Sequence, residues 1–202
     1  MSTEVSYYDN FQEIEKKIWL MLSDAVTNRN SPFRIPVFIC GSLNDFDGRI
    51  VVLRKSDQSN KLLQFHSDIR SDKIKKLKDN NNASMLFYDK EEKIQVRVKI
   101  ECTINHENEI TKQSWLKTGH MSRKCYLVDN GPGAESPTPT SGLKPELDNF
   151  EFTMEQSEEG YKNFTVIQCK IRSFEWLYLA AKGHRRARFE FSDYTKGYWL
   201  VP

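Results

Sequence analysis

Cations and hydroxyls recur in three short segments of this chain: RIVVLRKSD at residues 49–57, FHSDIRSDK at 65–73 and KIQVRV at 93–98. The first opens on Arg49 and carries Arg54 and Lys55 near its end; the second carries Ser67, Arg70, Ser71 and Lys73. Such groups can give charge-assisted hydrogen bonds to phosphate oxygens. Ser71 also stands where an N-cap belongs, ahead of a stretch whose apolar residues Ile74 and Leu77 lie three apart. The unpaired N–H groups and positive dipole end of such a helix favour a nearby anion by about 0.3–1 kcal/mol. Taken alone the stretch reads as a solvated surface helix; the order of the three segments is what points to an anion.

Other chemistries are poorly served. His66 and Ser67 are neighbours on one extended segment, so they point to opposite faces and cannot act as base and nucleophile. Cys125 with His120 lacks a nucleophile elbow or an oxyanion signature. Cys40, Cys102, Cys125 and Cys169 are scattered, without a C-x-x-C pair or a zinc-like His pattern, and three sit in apolar runs that suit buried thiols. No side chain is assigned a catalytic or metal-binding role. The runs at residues 73–76 and 184–188 are basic, but 30 Lys+Arg against 28 Asp+Glu leave a net charge of +2. That balance argues against a nucleic-acid partner.

The elements that must position these groups read as α+β with strands dominant. Phe11, Ile14, Ile18, Met21 or Leu22 and Val26 recur at helical spacing, which predicts an amphipathic helix over residues 5–27 of an N-terminal segment 1–30. Strands are expected at 33–41, 48–55, 62–67, 83–88 and 94–105, with turn clusters at 44–48 and 56–60. A helix is expected over 107–118 and a short one within 144–154. Four strands then follow, at 164–172, 175–180, 185–191 and 198–201. Residues 130–142 have linker composition, read here as a loop within one domain spanning 1–202. No run approaches the roughly 20 apolar residues of a membrane span and no secretory h-region opens the chain, so a cytoplasmic location is expected.

The three segments, with Asn81-x-Ala83-x-x-x-Phe87 between them, closely resemble the pyridoxamine 5'-phosphate oxidase-like family of FMN-binding split barrels. Glu175-Trp176-Leu177-Tyr178, His184-Arg185-Arg186-Ala187-Arg188-Phe189 and the closing Trp199-Leu200-Val201-Pro202 extend the resemblance to the C-terminus. It implies a strand-dominated split β-barrel of Greek-key type with peripheral helices, holding FMN at the interface of a homodimer and acting on a small molecule. It further implies that Arg49, His66, Ser67, Ser71, Lys73 and Arg188 hold the FMN phosphate. The backbone of Arg49, Ile50, Val51, Val52 and Arg54 would pass the ring edge, with Gln95 and Tyr178 also near the flavin; Trp176 is read as core.

Two departures from the family pattern stand out. Asp72 occupies a position where a basic residue is common, and Arg70, two residues earlier, is expected to replace the lost charge. The substrate phosphate would meet Arg54, His184 and Arg186, but the family's Arg-x-His order is reversed here and its helical contacts have no clean match in residues 114–123. The implied activity is that of an FMN-dependent oxidoreductase related to pyridoxamine 5'-phosphate oxidase, with hydride transfer to or from flavin N5. The alternatives are a flavin-binding module and a nicotinamide-dependent flavin reductase.

Overall fold

The computed structural model describes residues 7–42, 44–148 and 152–202. Helix α1 (Phe11–Thr27) is capped by Asn10, whose side chain accepts from the N–H groups of Gln12 and Glu13. The helix predicted from residue 5 therefore starts six residues later. Tyr7–Asp9 forms a 3-10 turn instead, and residues 5 and 6 lie outside those described.

Strands β1 (Val37–Ser42), β2 (Asp45–Ile50), β3 (Leu53–Asp57) and β4 (Leu62–Asp68) lead to helix α2 (Asp72–Asp79). Next come β5 (Asn82–Asp89), β6 (Ile94–Asn105), α3 (Glu109–Leu116) and α4 (His120–Arg123). Two short helices, α5 (Pro145–Asp148) and α6 (Met154–Glu158), precede β7 (Phe164–Tyr178), β8 (Arg185–Phe191) and β9 (Thr195–Leu200). The ladder is antiparallel and runs β2-β1-β5-β6-β7-β4-β3, with β8 on β7 and β9 on β8.

Two strands differ from expectation, each for a topological reason. The strand expected over 48–55 breaks at Val51–Val52, because β2 pairs with β1 whereas β3 pairs with β4. Val51 donates its N–H to Pro36 O as the chain crosses between them. Most of the expected 44–48 turn is strand β2, since Ser42 already pairs with Asp45. Conversely, the strands expected at 164–172 and 175–180 are one, β7. Ser173 pairs with Lys99 and Ile171 with Ile100, leaving Arg172 as the extra residue of a bulge. Ahead of the bulge β7 pairs with β4, and beyond it with β8.

Ile14, Ile18 and Leu22 of α1 pack on a core of Phe38, Phe65, Phe87, Phe174, Trp176 and Phe189. On the other side of β4 and β7, Trp115 from α3 and Tyr126 cover Phe164 and Val166. Arg123, buried against the Trp115 ring, ties these helices together through Trp115 O and Ser157 Oγ.

Candidate functional site

Strand alternation and the start of α2 gather four of the candidate residues. Ser67 faces the N-terminal end of α2, where Lys73 Nζ donates to Ser67 Oγ at 2.9 Å and to Ser71 Oγ at 3.2 Å. The two hydroxyls lie 3.2 Å apart and are buried. Ser71 therefore does not cap α2 with its side chain, contrary to expectation: its hydroxyl is held by Lys73 and Ser67, and only its carbonyl takes the Ile74 N–H. Arg49, in β2, approaches the same place and pairs with Asp47, while its Nε is buried without a partner. Burial, then the Arg49 charge, pulls Lys73 down to about 8. Arg49 is offset by Asp47, but Lys73 has no ion-pair partner among the described residues and the Arg49 Nε is orphaned, so the cradle holds donors without an acceptor. Cys40, a buried thiol, stands beside it.

Neither concern about this motif is realised in the expected way. Asp72 turns outward to Lys76 at 3.6 Å. Arg70 does not supply the cradle with charge: its guanidinium grips Asp68 at 2.7 and 3.0 Å and donates to the carbonyls of Val128 and Asp129. It anchors the base of the 130–142 loop, which is closed by Asp129 N to Gly142 O at 3.0 Å.

His66 points away from the cradle. On the opposite face of β4 its ring meets Phe164 edge-on at 4.8 Å and lines a cleft of about 590 Å³ with Arg54, Gln64, Ser114, Lys117 and Gln168. The assignment of His66 to the phosphate is thus corrected, since adjacent strand residues cannot share a face. Arg54 projects there from a register shift in β3 and is half-buried. Burial lowers its pKa, and nearby Arg34 adds to the shift. Burial, then Arg54, drives His66 down to about 4. Gln64, which donates to Ser114 Oγ at 3.2 Å, and Lys117 and Gln168 belong to this cleft but were not anticipated. Alternation along β4 could have found Gln64; nothing local could have brought α3 over it.

Of the remaining candidates, Ile50, Gln95, Arg186 and Arg188 lie on the outer face of the sheet. Register aligns Ile50, Val37, Leu86, Arg97, Glu175, Arg188 and Tyr198 in one row, and Tyr88, Gln95, Leu177, Arg186 and Leu200 in the next. Arg186 is held by Glu175 through Nε at 3.0 Å and Nη2 at 2.6 Å. Burial works to raise the Glu175 carboxyl, but Arg97 and Arg186 together keep it below its usual range. Arg188 lies over the Tyr198 ring, 5.2 Å from its centre, with Nε 3.1 Å from Glu190. Tyr178 faces the other way, stacked on Tyr8 at 5.0 Å and beside the fully buried Trp176.

His184 and Arg186 border a separate cleft with Asp9 and Trp199. One chain therefore does not unite them with Arg54, and the expected substrate clamp is not assembled within it. The apolar end of the same outer face is open to solvent, with Phe46 69 %, Ile50 61 % and Tyr88 48 % exposed.

Residues 21–106 match the family model described as pyridoxamine 5'-phosphate oxidase, FMN-binding domain. The match spans β1 to β6, and so contains the cradle and Gln95 but not β8. Among solved structures, a pyridoxamine 5'-phosphate oxidase-related, FMN binding protein from Nostoc punctiforme is similar at 16% identity and TM-score 0.69, covering 93% of this chain and 96% of that one. PhzG from Burkholderia lata, in complex with tetrahydrophenazine-1-carboxylic acid, is similar at 16% identity and TM-score 0.71, covering 100% and 99%. No curated protein matches the chain. The split-barrel fold and the resemblance read from the motifs are thereby borne out.

Proposed function

Taking the chain as a relative of the pyridoxamine 5'-phosphate oxidase-like FMN-binding split barrels, we propose that it binds FMN and acts as an FMN-dependent oxidoreductase on a small molecule. The observation that carries this is the cradle of Arg49, Ser67, Ser71 and Lys73, where a buried guanidinium nitrogen lacks a partner and a half-buried lysine is partly stripped of water. A terminal phosphate supplies the missing acceptors. Arg49 and Lys73 offset its charge, and the two serine hydroxyls turn toward its oxygens. Bound FMN brings a two-electron hydride acceptor at N5. The Val51–Val52 link lies outside any strand ladder, which suits a backbone that borders a ring.

The active form is a homodimer in this reading, within one domain and in the cytoplasm. Gln95, Arg186 and Arg188 sit on the outer face of the sheet, together with the exposed Ile50 and Tyr88. A second copy seated on that face covers the apolar end and brings its own Gln95 and arginines toward the first copy's cradle. Glu175 fixes the orientation of Arg186.

A second reading, a flavin-binding module or a nicotinamide-dependent flavin reductase without pyridoxamine phosphate oxidase activity, draws on the separation of Arg54 from His184 and Arg186. Mass spectrometry of acid-extracted ligand tests the cofactor: FMN is expected, whereas FAD, or a colourless protein that ignores added FMN, overturns it. Anaerobic mixing of the FMN-loaded protein with pyridoxamine 5'-phosphate, then separately with a reduced nicotinamide, tests the activity. Bleaching by the first supports the oxidase and bleaching by the second alone supports the reductase.

A further inference from the structure

We propose that Cys102 and Cys169 form a peroxide-sensitive dithiol, a covalent modification site that closes into a cross-strand disulfide and locks β6 to β7. The site stands on the geometry of the barrel alone; that turnover supplies the peroxide rests on the flavin reading above.

Register sets the two cysteines directly opposite each other in adjacent strands. In an antiparallel strand the N–H and C=O of one residue point to the same side. Cys102 donates its N–H to Asn81 O, toward β5, and Ile171, two residues past Cys169, donates to Lys61 O, toward β4. The backbone groups of the two cysteines therefore face away from each other, at a non-hydrogen-bonded position of the β6–β7 ladder. Opposite Cα atoms at such a position lie about 4.5 Å apart, inside the roughly 4.4–6.8 Å that a disulfide spans. Both side chains point into the barrel, where Cys102 Sγ donates to Cys169 Sγ at 3.9 Å. Side-chain rotation, with no change of register, closes that gap.

The other two cysteines are placed differently. Cys40 is on β1, which β5 separates from β6, and Cys125 lies in the 3-10 turn Lys124–Tyr126. Cys40 stands opposite Asp47 and Ala83 in the ladder, not opposite a thiol.

Burial decides which oxidant can act. Cys102 is 4 % exposed and Cys169 0 %. Burial, then the neighbouring Cys102, holds the Cys169 thiol well above its usual range, so it is uncharged at neutral pH. A bulky disulfide cannot reach either sulfur, whereas hydrogen peroxide is close to water in size. The less buried Cys102 reacts first: its sulfur takes one peroxide oxygen, the O–O bond breaks, and the other oxygen leaves as water with the thiol proton. Cys102 is then a sulfenic acid. The Cys169 sulfur displaces the sulfenic hydroxyl, which leaves as water with the Cys169 proton, and the S–S bond forms. Two thiols are oxidised and one peroxide is reduced to two waters. Oxygen takes the two electrons of a reduced flavin and becomes hydrogen peroxide, so the proposed chemistry makes the oxidant in situ. The crosslink closes residues 103–168, with α3, α4, α5 and α6, into a loop. Closing so long a loop restricts the unfolded chain and stabilises the folded one.

The test treats the folded protein with hydrogen peroxide, unfolds it in an alkylating reagent and maps the cysteines by mass spectrometry. A Cys102–Cys169 link with the loss of two hydrogens is expected, together with a thermal midpoint about 5 °C or more above that of the reduced protein. A bulky aromatic disulfide is expected to leave the pair untouched in the folded protein. Cys169→Ala should instead carry added oxygen on Cys102, and Cys102→Ala repeats the test from the other strand should the first variant fold poorly. Oxygen added to both sulfurs without a link, a link to Cys40, or two free thiols after peroxide overturns the proposal, and so does a link that leaves the midpoint unmoved. Lys73→Ala, expected to lose FMN, should crosslink with added peroxide as the wild type does. Photoreduction of the FMN-loaded protein followed by air should crosslink it without added peroxide, and catalase should prevent this. A link that forms only with added peroxide removes the flavin as its source and leaves the dithiol site standing.

Discussion

Lys73 holds two serine hydroxyls at the cost of its own hydration, and this makes it sensitive both to pH and to an anion. Its folded pKa of about 8 lies below the ordinary 10.5, so the ammonium is disfavoured in the folded protein. The sign follows: without ligand, Lys73 lowers stability below about pH 8, and this penalty fades as pH rises from 8 toward 10.5. A bound phosphate reverses the preference, so FMN affinity should fall as pH rises through about 8. Fluorescence titrations from neutral to alkaline pH should show that fall in the wild type and a flatter profile in Lys73→Ala. At neutral pH, Arg49→Ala and Lys73→Ala should each weaken FMN by about 1.5–3 kcal/mol, the range for a lost charge-assisted bond. Lys75→Ala, on the exposed side of α2, should do little; equal losses at all three would point to nonspecific charge.

Elements bring these residues together through a few contacts that can be cut one at a time. Arg70 joins the end of β4 to the 130–142 loop through Asp68 and the carbonyls of Val128 and Asp129. Arg70→Ala leaves the nearly buried Asp68 carboxylate unpaired, with an expected loss of about 1.5–3 kcal/mol. Limited proteolysis should then cut within the loop before the barrel unfolds, and a cleavage pattern identical to the wild type would show that Arg70 is not the anchor. At the other end of the chain, Asn10 supplies the cap of α1. Asn10→Ala should cost about 1 kcal/mol in denaturant unfolding, leaving FMN affinity unchanged because α1 lies away from the cradle.

At the scale of the whole molecule, the outer face of the sheet combines solvent-exposed Ile50 and Tyr88 with Gln95, Arg186 and Arg188. Light scattering should report about twice 23.7 kDa, and added FMN should raise the melting temperature in proportion to its logarithmic excess. Ile50→Asp, which places a charge on that face and spares the barrel core, should yield a monomer with weakened FMN binding. A monomeric wild type that still binds FMN tightly would remove the second copy from the site.

The sequence by itself was enough for the fold class, the order of most strands and the cradle motif, because alternation, helical spacing and local turn chemistry are short-range properties of the chain. It also made clear that His66 and Ser67 face opposite ways. The tertiary structure decided which face met which partner. Residues 48–55 have uniform strand propensity, yet they break at Val51 because β2 and β3 belong to different neighbours. Residues 164–178 look divided, yet they form one strand because a bulge at Arg172 carries the ladder through. Ser71 reads as a cap, but it serves Lys73, since a partly desolvated ammonium gains more from two hydroxyls than a helix end gains from one. His66 entered a cleft because α3, more than 40 residues later in sequence, folds over that face of β4; contacts so distant along the chain leave no local pattern to read.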